Sequence, residues 1–242
     1  YVAYARTNMN LWKGGGYDHS DQVNAKIVQP LARGSSIKAF FDWSSTQQFD
    51  YQDMTTNYLH TVGPNLANYY PDYTAAYQAA QGIYRPALQK TNDPYDAAYY
   101  GGTANRVDYL GGLTLDENFT DRLNWKSTLY GHADTGYSTW TTPYMPSPNG
   151  APLSQRIQTP EIARGGFQTA LTYKIARHTI NAGVWYEYGN FNESRYFTEA
   201  PVLGQGTLGN PTTGFPTSKV FAQPWQEAFS TNTFVFHLQD TY

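Results

Sequence analysis

The sequence predicts an all-β fold: an antiparallel up-and-down meander of about eight long strands, part of a transmembrane β-barrel. Three observations lead there: an unusual composition, apolar residues recurring at period two, and connections that alternate between short and long. Only 14% of the 242 residues are charged, against about 25% in ordinary soluble domains. Rings are abundant, with 22 Tyr, 12 Phe and 6 Trp. Yet mean hydropathy is −0.60, and no apolar run approaches the roughly 18 residues of a membrane-crossing helix. A helical membrane protein is therefore excluded. A net charge of −3 with so many rings argues against disorder, and 21 Gly with 14 Pro disfavour a helical bundle. A soluble β-sandwich and a membrane barrel remain.

The strands follow from alternation. Weak runs at Tyr1–Asn8 and Gln22–Leu31 come first, with Pro30 at the end of its run, where a missing N–H costs little. Ile37, Ala39, Phe41 and Trp43 then alternate with Lys38, Asp42 and Ser44, broken only by Phe40. Val107, Tyr109, Leu113 and Leu115 face away from Arg106, Asp108 and Asp116. Leu123, Trp125, Leu129 and Ala133 oppose Asn124, Lys126, His132 and Asp134. Further runs are Phe167–Ile175, Ile180–Tyr188 with Glu187 on the polar side, and Phe234–Leu238.

Connections separate the two surviving classes. Ala32–Ser35, Glu117–Asp121 and Ala176–Thr179 are short, whereas Asn10–Asp21, Gln48–Ala104, Thr141–Glu161 and Thr198–Ala228 are long. Strict alternation places every long loop at one end, as in outer-membrane barrels with short periplasmic turns and long extracellular loops. A sandwich has no reason for that asymmetry. In a barrel the apolar faces touch lipid, with rings such as Trp43 and Trp125 near the interfaces. Lys38, Asp42, Lys126, Asp134, Lys174 and Glu187 then line a polar lumen.

The longest connection, Gln48–Ala104, is crowded with tyrosines: Tyr51, Tyr58, Tyr69, Tyr70, Tyr73, Tyr77, Tyr84, Tyr95, Tyr99 and Tyr100. Tyr73, Tyr77 and Gln81 share one helical face, which predicts a short helix there. Tyr supplies amphipathic contact area at low entropic cost. The expected ligand-binding residues at the loops are Tyr69, Tyr70, Trp140, Tyr144 and Tyr196. With no basic funnel in the loops, their Tyr, Trp, Asn and Gln suit stacking on sugars or aromatic ligands, saccharides being favoured.

Catalytic constellations do not emerge. There is no Cys, hence no thiolate site and no Cys nucleophile. His19, His60, His132, His178 and His237 lie far apart, without HxH or HExxH spacing. Gly14-Gly15-Gly16 lacks the Lys-Ser/Thr of a phosphate loop and reads as a loop hinge. Asp116 and Glu117 fall at a tight turn and read as exposed polar caps. The expectations are no enzyme activity, no metal and no cofactor. With a pI near 5.9 and no basic cluster, no nucleic-acid partner is expected either.

The stretches Leu11–Ile27, Asp121–His132, Gly165–Tyr173 and Ile180–Tyr188 resemble hairpins from the β-barrel section of TonB-dependent outer-membrane receptors. That resemblance covers most of the chain outside the long loops. It implies a bulky nutrient, a siderophore, saccharide or similar, bound at the extracellular loops and imported through the bacterial outer membrane. It also implies outer-membrane lipid as a partner, and an energy-coupling TonB complex acting through parts that this chain does not contain. Residues 1–242 are read as one partial barrel domain without plug or signal peptide, cut at both ends. The other readings are a soluble β-sandwich that binds carbohydrate, and a small complete outer-membrane barrel with an adhesive or structural role.

Overall fold

The computed structural model describes residues 1–51, 53, 55–56, 59–60, 64–65, 67–83 and 99–242. Its frame is one antiparallel sheet built from β1 (Val2–Asn10), β2 (Tyr17–Pro30), β3 (Ser36–Asp50), β4 (Gly102–Asn118), β5 (Leu123–Thr142), β6 (Ser154–Gln158), β7 (Glu161–Ile175), β8 (His178–Glu199) and β9 (Val220–Thr241). Strands β6 and β7 both lie between β5 and β8, one above the other. They are two halves of one strand interrupted at Thr159-Pro160, where proline has no N–H for the ladder. The path is thus an eight-position meander, as the sequence predicts. Each pairing joins neighbours along the path, so the short connections gather at one end and the long ones at the other.

Among the described residues no second sheet packs on this one, and no pairing joins β1 to β9. A sandwich needs two face-packed sheets, and a small complete barrel needs its first and last strands to pair. Neither arrangement is present. Both edge strands are almost wholly exposed, and such unpaired edges are a liability for a sheet standing alone. No helix of the described residues is long and apolar enough to cross a membrane.

Register explains why the alternation was visible. One row of directly paired residues crosses seven strands as Ile27, Ala39, Leu113, Leu129, Phe167, Tyr186 and Phe234. The row beside it runs Ile37, Leu115, Ser127, Thr169, Val184 and Phe236. All of these side chains share one face, in the half of the sheet nearest the short turns. The opposite face carries Lys38, Asp42, Lys126, Asp134, Lys174 and Glu187, in alternate register with the apolar rows. A one-residue slip in any strand would exchange the two sets. On that face close packing demands glycine at position 112, because a Cβ there would lie 2.6 Å from the Phe40 ring and 2.8 Å from the Leu129 carbonyl oxygen.

The strands are longer than their apolar segments. β5 has 20 residues, and β8 and β9 have 22 each, whereas a bilayer-spanning strand needs about 9–11. The upper halves of β5 and β8 are rich in Thr, Ser, Asn and Tyr, and that of β9 mixes apolar and polar residues on both faces around Pro224. Period two is therefore invisible there, and the first long loop shrinks to residues 11–16. Asp116 and Glu117 likewise stand inside β4 rather than in the turn, on opposite faces; Asp116 is held by Lys38 (3.6 Å) and by the Asn124 amide (2.8 Å).

Candidate ligand-binding mouth

At the long-loop end the chain builds a second body, the head, with its own core. The predicted helix is present as α1 (Tyr73–Ala80). Asp72 caps it by accepting the Ala75 N–H at 2.9 Å, satisfying one of the orphan donors of the first turn. Its inner side buries Tyr73, Ala76, Tyr77 and Ala79 against Tyr69, Tyr100, Leu153 and Leu208. Small alanines let the helix sit close, and the tyrosines bridge to the neighbouring loops. Tyr73 donates to the Pro201 carbonyl at 2.6 Å, and Tyr100 to that of Leu208 at 2.9 Å. Ser147 donates to the Leu153 carbonyl and accepts from the Ala200 N–H. Three of the long connections are thereby tied together.

The β8–β9 connection then lies down on the sheet. Tyr17 and Tyr137, from β2 and β5, both hydrogen-bond Thr212, at 2.6 and 2.8 Å. Rings pack in sequence from the sheet into the head: Tyr17 on Phe49, Phe49 on Tyr70, Tyr70 on Tyr100, and Tyr100 on Tyr73, with centroids 4.7 to 5.5 Å apart. Burial raises the phenol pKa values of two of these rings, that of Tyr100 to about 12 and that of Tyr73 further. Tyr99, almost fully buried beside the Trp140 ring, is also held well above the ordinary tyrosine value by burial.

The five ligand residues expected from sequence do not form one site. Tyr69 is buried in the head core, and Tyr70 packs between Phe49 and Tyr100. Trp140 lies on the polar face, in contact with the Tyr99 ring and with the Arg156 guanidinium over its own ring. Tyr196 is half-buried in β8, opposite Ile157 of β6. Tyr144 alone of the five is widely exposed. Tyr58, Tyr84 and Tyr95 lie outside the described residues. The reading of Gly14-Gly15-Gly16 as a hinge is corrected: a Cβ at Gly15 would lie 2.0 Å from the Tyr70 carbonyl oxygen, and one at Gly16 2.5 Å from the Phe49 ring. These glycines pin the loop to the head.

Below the mouth the polar face is wired across four strands. Trp185 donates to the Tyr130 hydroxyl (2.7 Å), which donates to Glu187 (2.6 Å). Glu187 lies 3.8 Å from Arg164, and Arg164 donates to His132 Nδ1 at 3.1 Å. With Nδ1 accepting, His132 presents Nε2–H to Asp108 at 2.8 Å. Arg106 and Asp134 pair beside it at 3.5 Å. Of the residues expected to line a lumen, Lys38, Asp134 and Glu187 are engaged in ion pairs on this face. The alternation marks each of these side chains as polar-facing, but not which partner each one finds. The chain matches no protein-family model and no curated protein.

Proposed function

We propose that this chain is a section of outer-membrane barrel wall with a ligand-binding head at its outer mouth. The observation that carries the reading is the inversion of burial in the lower sheet. Leu129 is 62% exposed, Leu113 50%, Phe234 55% and Ile27 71%. The side chains of His132 and Glu187 on the other face are only 13% and 15% exposed. Water-soluble proteins cover their apolar side chains first, and monomers rarely expose apolar patches beyond a few hundred Å². A wall with its apolar face in hydrocarbon and its polar, paired face towards water has the opposite preference. In hydrocarbon the inner strands are viable because a neighbour on each side satisfies their backbone groups, whereas β1 and β9 each present one open edge to be paired.

The resemblance to TonB-dependent receptors supplies the activity. A bulky nutrient, a siderophore or a saccharide, is captured at the head and imported along the polar face, with energy relayed by the TonB complex through parts outside this section. The test uses folded protein in vesicles of phospholipids brominated on their acyl chains, with one tryptophan retained at a time. Trp43 and Trp125, on the apolar face, are quenched strongly, and Trp12 and Trp140 are not. A protein that is monomeric in water without detergent, with Trp43 and Trp125 unquenched, overturns the reading.

A further inference from the structure

The loop between β1 and β2 holds an exposed tryptophan at the rim of a cleft. Trp12 is 75% exposed, an unusual position for the most costly ring to leave in water. It does not hang loosely. The Leu11 N–H bonds the Gly16 carbonyl at 3.1 Å, Gly14 N–H the Asn65 carbonyl at 3.2 Å, and the Asn68 amide the Gly15 carbonyl at 3.1 Å. The Trp12 N–H itself donates to the Tyr51 hydroxyl at 3.2 Å. The two rings stand 5.9 Å apart at 46°, forming an angled platform. Beside it opens a cleft of about 240 Å³ whose lining includes Met9, Asp18, Gln48 and Asp50. Asp18 and Gln48 are paired across β2 and β3 on the polar face, and Gln48 donates to Asp50 at 3.1 Å.

We infer that Trp12 and Tyr51 form a saccharide-binding subsite at the mouth, with Asp18, Gln48 and Asp50 as hydrogen-bond partners for sugar hydroxyls. A pyranose offers one face of C–H bonds and an edge of hydroxyls. The flat indole suits the former, and two carboxylates with a carboxamide suit the latter, since carboxylates accept and Gln both donates and accepts. A neutral ligand is favoured over a cationic one because the Lys13 ammonium already lies 5.2 Å from the Trp12 ring centroid and 5.6 Å from that of Tyr51. The seat for a cation is taken from within the chain. Pinning by the glycine triplet places the platform before ligand arrives, which lowers the ordering cost of binding.

The inference deepens the proposed function, on which it rests for placing this rim at the outer mouth. Folded protein is titrated with cellohexaose, maltohexaose and tetramethylammonium, followed by calorimetry and tryptophan fluorescence. One of the two hexasaccharides binds saturably at millimolar concentration or below. Trp12→Ala weakens that binding by roughly tenfold or more, a loss of about 1.4 kcal/mol. Trp12→Phe retains most of it, Asp18→Asn weakens it, and Phe119→Ala at the opposite end of the sheet leaves it unchanged. The subsite is overturned if neither sugar binds, if Trp12→Ala binds as the parent does, or if only tetramethylammonium binds. Quenching of Trp125 by brominated lipid, measured on the same samples, reports separately on the wall. Sugar binding without quenching therefore sinks the membrane reading and leaves the subsite.

Discussion

The lower wall and the upper head use the same residue types with opposite burial. In the wall Leu113, Leu129, Phe167 and Phe236 are exposed, while His132 and Glu187 are covered and paired. In the head Leu153, Leu208, Tyr73 and Tyr100 are buried, as in any water-soluble core. Every buried apolar side chain among the described residues belongs to the head or to the upper strands that meet it. The difference teaches that hydrophobicity alone does not say where a side chain goes; the solvent on each side of the backbone does. The lower sheet leaves its apolar face uncovered, and the head covers its own; under the proposed function the first faces hydrocarbon and the second water.

That contrast can be broken in three ways. The largest effect is expected from Leu153→Ala, which empties a fully buried site and costs the head about 2–5 kcal/mol. Its signature is loss of loop protection in hydrogen exchange while insertion into vesicles is unchanged. Next comes Leu129→Arg, in the middle of the exposed apolar row. A cation on the lipid face near the bilayer midplane costs about 2–4 kcal/mol, so vesicle insertion, read by the heat-dependent gel shift of folded barrels, falls sharply. If instead Leu129→Arg inserts normally, or makes the protein more soluble without loss of fold, the apolar row does not face lipid.

The mildest test needs no substitution. The raised value of Tyr100, about 12, means that the folded head favours the neutral phenol more than the unfolded chain does. The stability it contributes is complete below the ordinary value near 10 and is lost as pH rises from there towards 12. The ionised ring also cannot donate to the Leu208 carbonyl. Between pH 10 and 12, near-ultraviolet circular dichroism is expected to report loosening of the tyrosine stack while the far-ultraviolet strand signal of the wall persists. Loss of both signals together would mean that head and wall unfold as one unit.

Legibility in the sequence follows the same division. Where one face is apolar and the other polar, as in Ile37–Trp43 or Ile180–Tyr188, the sequence located the faces, and the strand ends nearest the short turns, to within a few residues. The helix expected from Tyr73, Tyr77 and Gln81 was equally readable, since that spacing is local; it ends at Ala80. The upper halves of β2, β5, β8 and β9 were not, because polar residues on both sides, or apolar ones in β9, erase the alternation; β9 starts at Val220, inside the expected Thr198–Ala228 loop. β6 was hidden for the same reason, and further by Pro160.

The candidate site was the least legible part. Tyr69 and Tyr70 have the same composition as a ligand surface, yet Tyr69 is buried in the head core and Tyr70 packs against it. Trp12 gave no signal beyond being aromatic; only the glycines pinned against Tyr70 and Phe49 set it at the rim.

By itself, then, the low charge, the many rings and the alternating loop lengths determined an antiparallel meander with long loops at one end, because strand periodicity and turn length are local properties. Tertiary structure decided which rings are buried and which polar groups pair across four strands. It also decided that the tip of the β1–β2 loop stands beside a cleft. Those outcomes depend on contacts between residues far apart in the chain, such as Tyr17 with Thr212 and Gly15 with Tyr70, and no local pattern encodes them.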